Sequence, residues 1–396
     1  MKNHLILLLF SGLFLAFFAA SSAADNPVQT IVVGYLEYAK DERYTSRRLE
    51  ARYRLQPWGR PFAGAELGVK DSRFPLMSRQ VALQLAKRTE RSVEDLLLQI
   101  NKLYEEDVHF FLVDFPDDIL HEVAQKTRDK SLLLFNISAL GVALRQEGCQ
   151  AHLFHVAPSW DMLTDALAQY LVTRQWRDIL VLAGESEADQ ALNTIFLDSA
   201  KRFGLKVVET RPFQLSRDPR HRHQNNVALL TGKAKYDVVF VADTHGEFAR
   251  YVPYQTLLPR PVVGSNGLVP EWWFWSWDRH GAPQVNGRFQ KQAGRLMTGY
   301  DWSAWMAIKV VTEAIIRSHS LNFNDLSAYI RSNDLVLDGT KGTPQNFRQW
   351  NNQLRQPLFV ASGDAVVERL PLDGFLHPTN QLDTLGIDET RNRCQF

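Results

Sequence analysis

Residues 109–135 read HFFLVDFPDDILHEVAQKTRDKSLLLF, and this stretch decides the fold class. His109–Val113 is a short aromatic and aliphatic run without polar alternation, the pattern of a strand buried on both faces. Pro116 opens a segment to Thr127 with helical spacing, because a proline suits the first helical turn. Ser131–Phe135 then repeats the buried-strand pattern. Strand, helix and strand in so short a span make a βαβ unit, whose strands run parallel.

The same alternation continues on both sides of this unit. Before it, Ile31–Leu36 (IVVGYL) and Val81–Leu85 read as strands, with helices over Ala63–Ser72 and from the Ser92 cap to Tyr104. After it come the strand His152–Val156, the helix Ser159–Gln175, the strand Ile179–Ala183 and the helix Glu187–Phe203. The strand Lys206–Thr210, the helix Asn225–Thr231 and the strand Val238–Ala242 follow. Two such runs divided near Ala157 predict an α/β protein of two Rossmann-like lobes with parallel sheets. A long helix from Asp301, with Trp302, Trp305, Ile308 and Ile315 on one face, returns the chain to the first lobe.

Composition limits the function. The chain has 45 Lys plus Arg against 44 Asp plus Glu, and the balance becomes zero once a leader containing Lys2 is removed. That leader is expected over residues 1–24: Lys2, an apolar run Leu5–Ala20, then Ser21 to Ala24 at a cleavage site. A soluble exported protein follows from it. A neutral mature chain implies neither a nucleic-acid nor an anionic-membrane partner, and the local basic clusters Arg43–Arg60 and Arg217–His223 read as solvated loops. Cys149 and Cys394 could pair in an oxidising compartment or stay free. The histidines at 152, 155, 221 and 223 lack companion ligands at metal-site spacing, and the common nucleotide, hydrolase and metalloprotease motifs are absent. Those absences remove the most common enzymes built on parallel sheets without excluding an enzyme, which is the least favoured reading.

Solutes of open parallel sheets sit beyond the carboxyl ends of the strands. In the first lobe that rule selects Tyr38, Asp114 and Phe115, and Asn136 with Ser138. In the second it selects Ser159 and Trp160, Gly184 and Glu185, Asp243 and Thr244, and Ser265 with Asn266. Each has a duller use, since Asn136, Ser138 and Asp243 also suit helix caps and turns. Separately, Val262–Trp305 holds six of the ten tryptophans. Alternation over 272–277 would put Trp273, Trp275 and Trp277 on one side of an extended strand. Such indoles suit either a core or a slot for a flat ring.

Several segments resemble the type I periplasmic solute-binding proteins of ABC transporters, the group similar to leucine/isoleucine/valine-binding proteins. They are Gly64-Ala65-Glu66-Leu67, Phe154-His155-Val156-Ala157-Pro158-Ser159, Gly299-Tyr300-Asp301 and the run KGTPQNFRQW from Lys341. A nearer resemblance is to the subgroup associated with pyrroloquinoline quinone (PQQ)-dependent alcohol catabolism. It is carried by Gly246-Glu247-Phe248, Tyr251-Val252-Pro253-Tyr254, 259–264 (PRPVVG), Gly267-Leu268-Val269-Pro270, 353–357 (QLRQP), Gly374-Phe375-Leu376-His377 and 382–386 (LDTLG).

The resemblance implies two lobes joined by three crossings, near Val156, over Trp272–Trp277 and near Gln353–Pro357. Lobe 1 would be residues 25–156 and 272–352, and lobe 2 residues 157–271 and 353–396. It implies hinge closure around a small planar anionic solute, with PQQ as the expected ligand and no catalytic cofactor. ABC permease subunits are the implied partners, a PQQ-dependent dehydrogenase is a further one, and the protein would be a monomer. Trp160 and the three hinge indoles would stack on the ring. Arg279, Arg288 or an arginine of the Arg43–Arg60 loop would meet its carboxylates. Two departures stand out. The loop Phe135–Gly141 keeps Ser138 but lacks the next hydroxyl of the amino-acid binders, and residues 40–62 are unusually rich in Arg and Tyr. An amino acid or alcohol-derived acid, or a sensor or escort role, is the competing reading.

Overall fold

The computed structural model describes residues 28–215 and 218–396, so the leader expected over 1–24 lies outside the described residues. The first lobe carries β1 (Gln29–Tyr38), a short α1 (Ser46–Ala51), α2 (Phe62–Met77), β2 (Val81–Glu90), α3 (Val93–Glu105), β3 (Phe110–Asp114), α4 (Asp117–Thr127), β4 (Leu133–Asn136) and β5 (Leu153–His155). Its sheet is parallel in the order β2-β1-β3-β4-β5. Every residue of β3 and β4 is buried, which is why these strands read as unbroken apolar runs. Ser92 caps α3 by accepting from the Asp95 N–H at 3.1 Å, and Leu96, Ile100 and Leu103 form its inner face.

The second sheet is also parallel. It is built from β6 (Asp178–Gly184), β7 (Lys206–Phe213), β8 (Val238–Ala242) and β9 (Val262–Gly264) in the order β7-β6-β8-β9. Helices α5 (Trp160–Thr173), α6 (Glu187–Arg202) and α7 (Val227–Leu230) belong to this part of the chain. In each sheet the strand order reverses beside the first strand, between β1 and β3 and between β6 and β8. Those switch points leave a crevice at the carboxyl ends.

After β10 (Val269–Glu271) the chain returns to the first lobe through α8 (Ala282–Ala293), α9 (Gly299–Ser318) and α10 (Phe323–Arg331). The capping box of Thr298 and Asp301 starts α9, which packs along α2 with most of its residues buried. Two glycines of α2 permit that approach. A Cβ at Gly64 would lie 2.1 Å from the Asp301 carbonyl oxygen, and one at Gly68 would lie 2.8 Å from Ile308 Cβ.

Two expectations change here. Residues 272–277 form turns and irregular backbone, not a strand, so the alternation of three indoles on one side fails. Trp272 and Trp273 are consecutive and both buried, with Trp272 against Gly299 and Tyr300 and Trp273 against Trp302. The second difference is an antiparallel pair near the C-terminus, β11 (Leu358–Ser362) and β12 (Ala365–Leu370), which joins β10 in a third sheet.

The crossings between lobes lie side by side. The His155 N–H donates to Asn352 O and the Leu354 N–H donates to His155 O, both at 2.9 Å. Gln356 Nε2 donates to Val156 O at 2.8 Å, and buried Arg145 reaches Gln353 Oε1, Ala157 O and Pro158 O. Burial pushes the Arg145 pKa down to about 10. Cys149 and Cys394 are joined by a disulfide across a separation of 245 residues, so the pairing left open by the sequence is made.

Local packing predicts opposite signs for two glycine substitutions, one at the α2–α9 contact and one on α8. Gly64→Ala should destabilise the protein by about 2–3 kcal/mol, because backbone opposes the new methyl group. Gly287→Ala in α8 meets nothing within 4 Å and should stabilise by about 0.5–1 kcal/mol. Urea midpoints at constant slope would measure both; a neutral Gly64→Ala would contradict the close helix contact.

Candidate functional site

A cleft of about 470 Å³ opens where the strand ends of the two sheets face each other. Tyr38 enters it from β1, Pro116 from the end of β3, Ser138 from the turn after β4, and Trp160 from the start of α5. Ala188 and Thr244 come from the second lobe, after β6 and β8. The volume lies within the range of small-molecule sites, roughly 300–1,000 Å³.

Behind this lining stand side chains that shape loops. Asn136 is fully buried and accepts from the Ser138 and Ala139 N–H groups at 3.1 and 2.8 Å while donating to Ala139 O. Asp243 accepts four backbone N–H bonds, from His245, Gly246, Phe248 and Ala249, at 2.8–3.2 Å. Ser265 Oγ accepts from the Asp243 N–H, and Asp189 Oδ1 accepts from the Thr244 N–H and hydroxyl. Ser159 is the buried N-cap residue of α5. The Trp160 N–H donates to Leu140 O at 2.9 Å, tying the start of α5 to the first lobe.

The dominant feature of the first-lobe half is the loop 41–61. Asp114, at the end of β3, is completely buried and receives Tyr44 Oη at 2.8 Å, Arg60 Nη1 at 3.2 Å and Arg43 Nη2 at 3.3 Å. Arg43 is also held by Asp41 and donates to Ser138 O at 3.0 Å and Ser138 Oγ at 3.2 Å. Arg60 donates its other nitrogen to Tyr38 O at 2.8 Å. Burial pushes the Asp114 carboxyl up and the two guanidinium groups pull it back. Burial, with Asp114 beside it, holds the Tyr44 hydroxyl well above the ordinary tyrosine range. Burial works against the Arg43 charge, yet Tyr44, Asp41 and Asp114 keep its pKa above that of a free arginine. The loop then reaches the second lobe, where Gln56 Nε2 donates to Thr244 O at 2.8 Å and Arg47 pairs with Glu247.

The remaining candidates lie elsewhere. Trp273 donates its indole N–H to Asn286 Oδ1 at 3.0 Å, and Trp277 donates to Thr340 O at 3.2 Å while packing on Phe359. Trp275 is half-buried beside Tyr53, Trp58 and Glu271 at a separate cavity of about 170 Å³, where burial pushes the Glu271 carboxyl up to about 8 against the pull of Arg54. Asn266 lies in the turn between β9 and β10 and accepts from the Gly267 N–H. Arg279 is exposed over Trp277, and Arg288 pairs with Asp71 on the lobe 1 surface. The structure thus gathers Tyr38, Ser138 and Trp160 at the cleft. It sets Asp114, Asn136, Ser159 and Asp243 behind the cleft, and keeps Asn266, Trp273, Trp275, Trp277 and Arg279 away from it. Arg43, Tyr44 and Arg60 carry most of the site's polar contacts, and the only sequence signal for them was the Arg and Tyr density of residues 40–62. No group of His, Cys, Asp and Glu among the described residues is arranged to hold a metal.

Removing the carboxylate of Asp114 should therefore cost more than an ordinary polar substitution. Asp114→Asn is expected to lose roughly 2–3 kcal/mol, below the full range for a broken buried pair because Arg43 and Arg60 are partly exposed and Arg43 keeps Asp41. Tyr44→Phe should lose about 1 kcal/mol. Denaturant titration compares the two, and an Asp114→Asn as stable as the parent would remove the ion cluster from its structural role.

A family model described as a periplasmic binding protein matches residues 87–252. No curated protein matches the chain by sequence. Solved structures do match it in shape. A branched chain amino acid ABC transporter periplasmic ligand-binding protein from Burkholderia xenovorans is 12% identical with a TM-score of 0.69, over 92% of this chain and 99% of the other. A substrate-binding protein from Desulfitobacterium hafniense in complex with Leu is 16% identical with a TM-score of 0.64, over 86% and 100%. A solute binding protein from Rhodopseudomonas palustris in complex with 3,4-dihydroxybenzoic acid is 11% identical with a TM-score of 0.62, over 84% and 93%. By its sheet orders, its paired lobes and the family match across its central segment, this chain has the fold of the type I periplasmic binding proteins.

Proposed function

We propose that the protein is a periplasmic solute-binding component of an ABC transporter, which closes its two lobes on a small anionic solute and presents it to the permease. The observation that carries this reading is the position of the cleft, which takes its lining from strand ends at both switch points. A solute there touches both lobes only when they are closed, so binding shifts the population toward closure without any chemistry. Trp160 offers a partly exposed indole face to a ring or apolar body, and Lys40 and Arg48 bring positive charge to the same cavity. Proteins of the same fold bind leucine, benzoate and 3,4-dihydroxybenzoic acid. PQQ, a flat anionic quinone, is the solute that the sequence resemblance puts forward and the first to test.

Isothermal titration of the purified protein with PQQ, benzoate and leucine is the direct experiment. One-to-one binding of an anionic ring, weakened about tenfold by Trp160→Ala with little change in thermal midpoint, is the expected result. If none of the three binds or shifts the midpoint, an aromatic-acid or amino-acid solute is lost and the reading passes to solutes of other shape. If binding survives Trp160→Ala unchanged, the indole has no part in recognition.

A further inference from the structure

The protein's own loop has taken the groups at the first-lobe strand ends. Tyr38 O is occupied by Arg60, Asp114 by Arg43, Arg60 and Tyr44, and both oxygens of Ser138 by Arg43. A solute head seated on β1, β3 and β4 would have to displace guanidinium groups that already hold carboxylates. The open volume lies farther out. There the cleft continues into a trough of about 740 Å³, and the two share Asp117, Asp118, Trp160, Ala188 and Thr244.

The trough differs in chemistry from the cleft. Val142 and Leu144 of the first lobe face Ala188, Ala191, Leu192 and Ile195 of the second, and no lysine or arginine lines it among the described residues. Its carboxylates, Asp117, Asp118 and Glu147, would repel an anionic group. At the cleft end, Lys40 and Arg48 make no ion pair among the described residues. Of the carboxylates that line the cleft, Asp41 is engaged by Arg43, Glu42 is exposed, Asp117 accepts from the Gly141 N–H, and Asp117 and Asp118 stand on the side shared with the trough.

We infer that the solute is a monocarboxylate with an elongated apolar body, its head held at the cleft end by Arg48 and Lys40 and its body laid past Trp160 into the trough. This rests on the solute-binding reading above and narrows it. One acid group suits one basic end, and an apolar body suits a trough whose facing walls are Val142 and Leu144 on one side and Ala188, Ala191, Leu192 and Ile195 on the other. A second or third carboxylate, as in PQQ, would face Asp117, Asp118 and Glu147. The body of leucine is too short to leave the cleft.

The test is calorimetric titration of the full mature protein with hexanoate, octanoate and decanoate, with benzoate, PQQ and leucine as comparison arms. Affinity should rise with chain length, approaching about fourfold for each methylene that is fully buried. Ala191→Glu and Ala188→Glu, at exposed positions of α6, should each weaken decanoate by about tenfold or more while the thermal midpoint holds. If either variant lowers the midpoint, the other carries the comparison. Affinity that is flat with chain length, or decanoate binding indifferent to both variants, overturns the inference. In that event, binding of PQQ, benzoate or leucine leaves the solute-binding reading standing. Silence from every arm overturns both.

Discussion

The carboxylate of Asp114 has no access to water, and an isolated charge in such a place is untenable. It sits at the end of the central strand of the first sheet, where a turn must begin and where most proteins of this architecture would leave room for a ligand. Its charge is met instead by Arg43 and Arg60, with the Tyr44 hydroxyl as a third donor. Those partners come from 54 to 71 residues earlier in the chain, so satisfying Asp114 fixes the whole 41–61 loop over the strand ends. A second buried acid extends the cluster. Asp301, at the start of α9, takes both terminal nitrogens of Arg295, and Arg295 donates onward to Arg60 O. The loop, the sheet and the long helix are therefore one electrostatic unit, in which removing Asp114 leaves Arg60 without its acid and removing Asp301 does the same to Arg295.

That unit partitions the space between the lobes. On one side of residues 52–58 lies the small aromatic cavity beside Trp275 and Glu271, and on the other lies the larger cleft that runs into the aliphatic trough. Leu55, Gln56 and Tyr300 border both. The Trp-rich segment thus contributes mainly to packing and to the wall of the smaller chamber. Its buried indole N–H groups each find an acceptor, as burial of a polar handle requires: Ser303 for Trp272, Asn286 for Trp273 and Thr340 for Trp277.

Much of the fold was legible because the central strands are buried on both faces, and such strands announce themselves as apolar runs of four to eight residues. β3, β4, β6 and β8 all do so. What escaped was local backbone that does not follow a period. An extended strand over residues 272–277 would have set Trp273, Trp275 and Trp277 on one side, but turns allow Trp272 and Trp273 to be buried side by side. β11 and β12 are short and antiparallel, formed late in the chain against β10, and nothing in the preceding alternation requires them. In the site, the strand-end rule found Tyr38, Asp114, Ser138 and Trp160, since position along a strand is a local property. It could not separate a residue that faces a solute from one that faces an internal arginine. That distinction depends on contacts between distant segments, and Asp114 shows how completely they can reverse the expected role.

The same contacts bear on how the lobes separate. The loop is bound tightly to the first lobe and meets the second through a few contacts at its rim, among them Arg54 donating to Gly363 O and Arg250 lying over Tyr53. Arg47 is mostly exposed where it meets Glu247, so that pair contributes at most about 1 kcal/mol. The Gln56 to Thr244 bond adds about as much, and Tyr53 lies against Gly246, where no side chain interlocks. The hinge, by contrast, is held by Arg145, Gln353 and Gln356 through bonds between the crossings, with the Cys149–Cys394 link close by. Under the proposed closing motion, opening about that hinge would carry the loop with the first lobe and break these few contacts at the cleft mouth. A solute need contribute only a few kcal/mol of differential binding to hold the lobes together, and it would do so against a first-lobe surface that is already assembled.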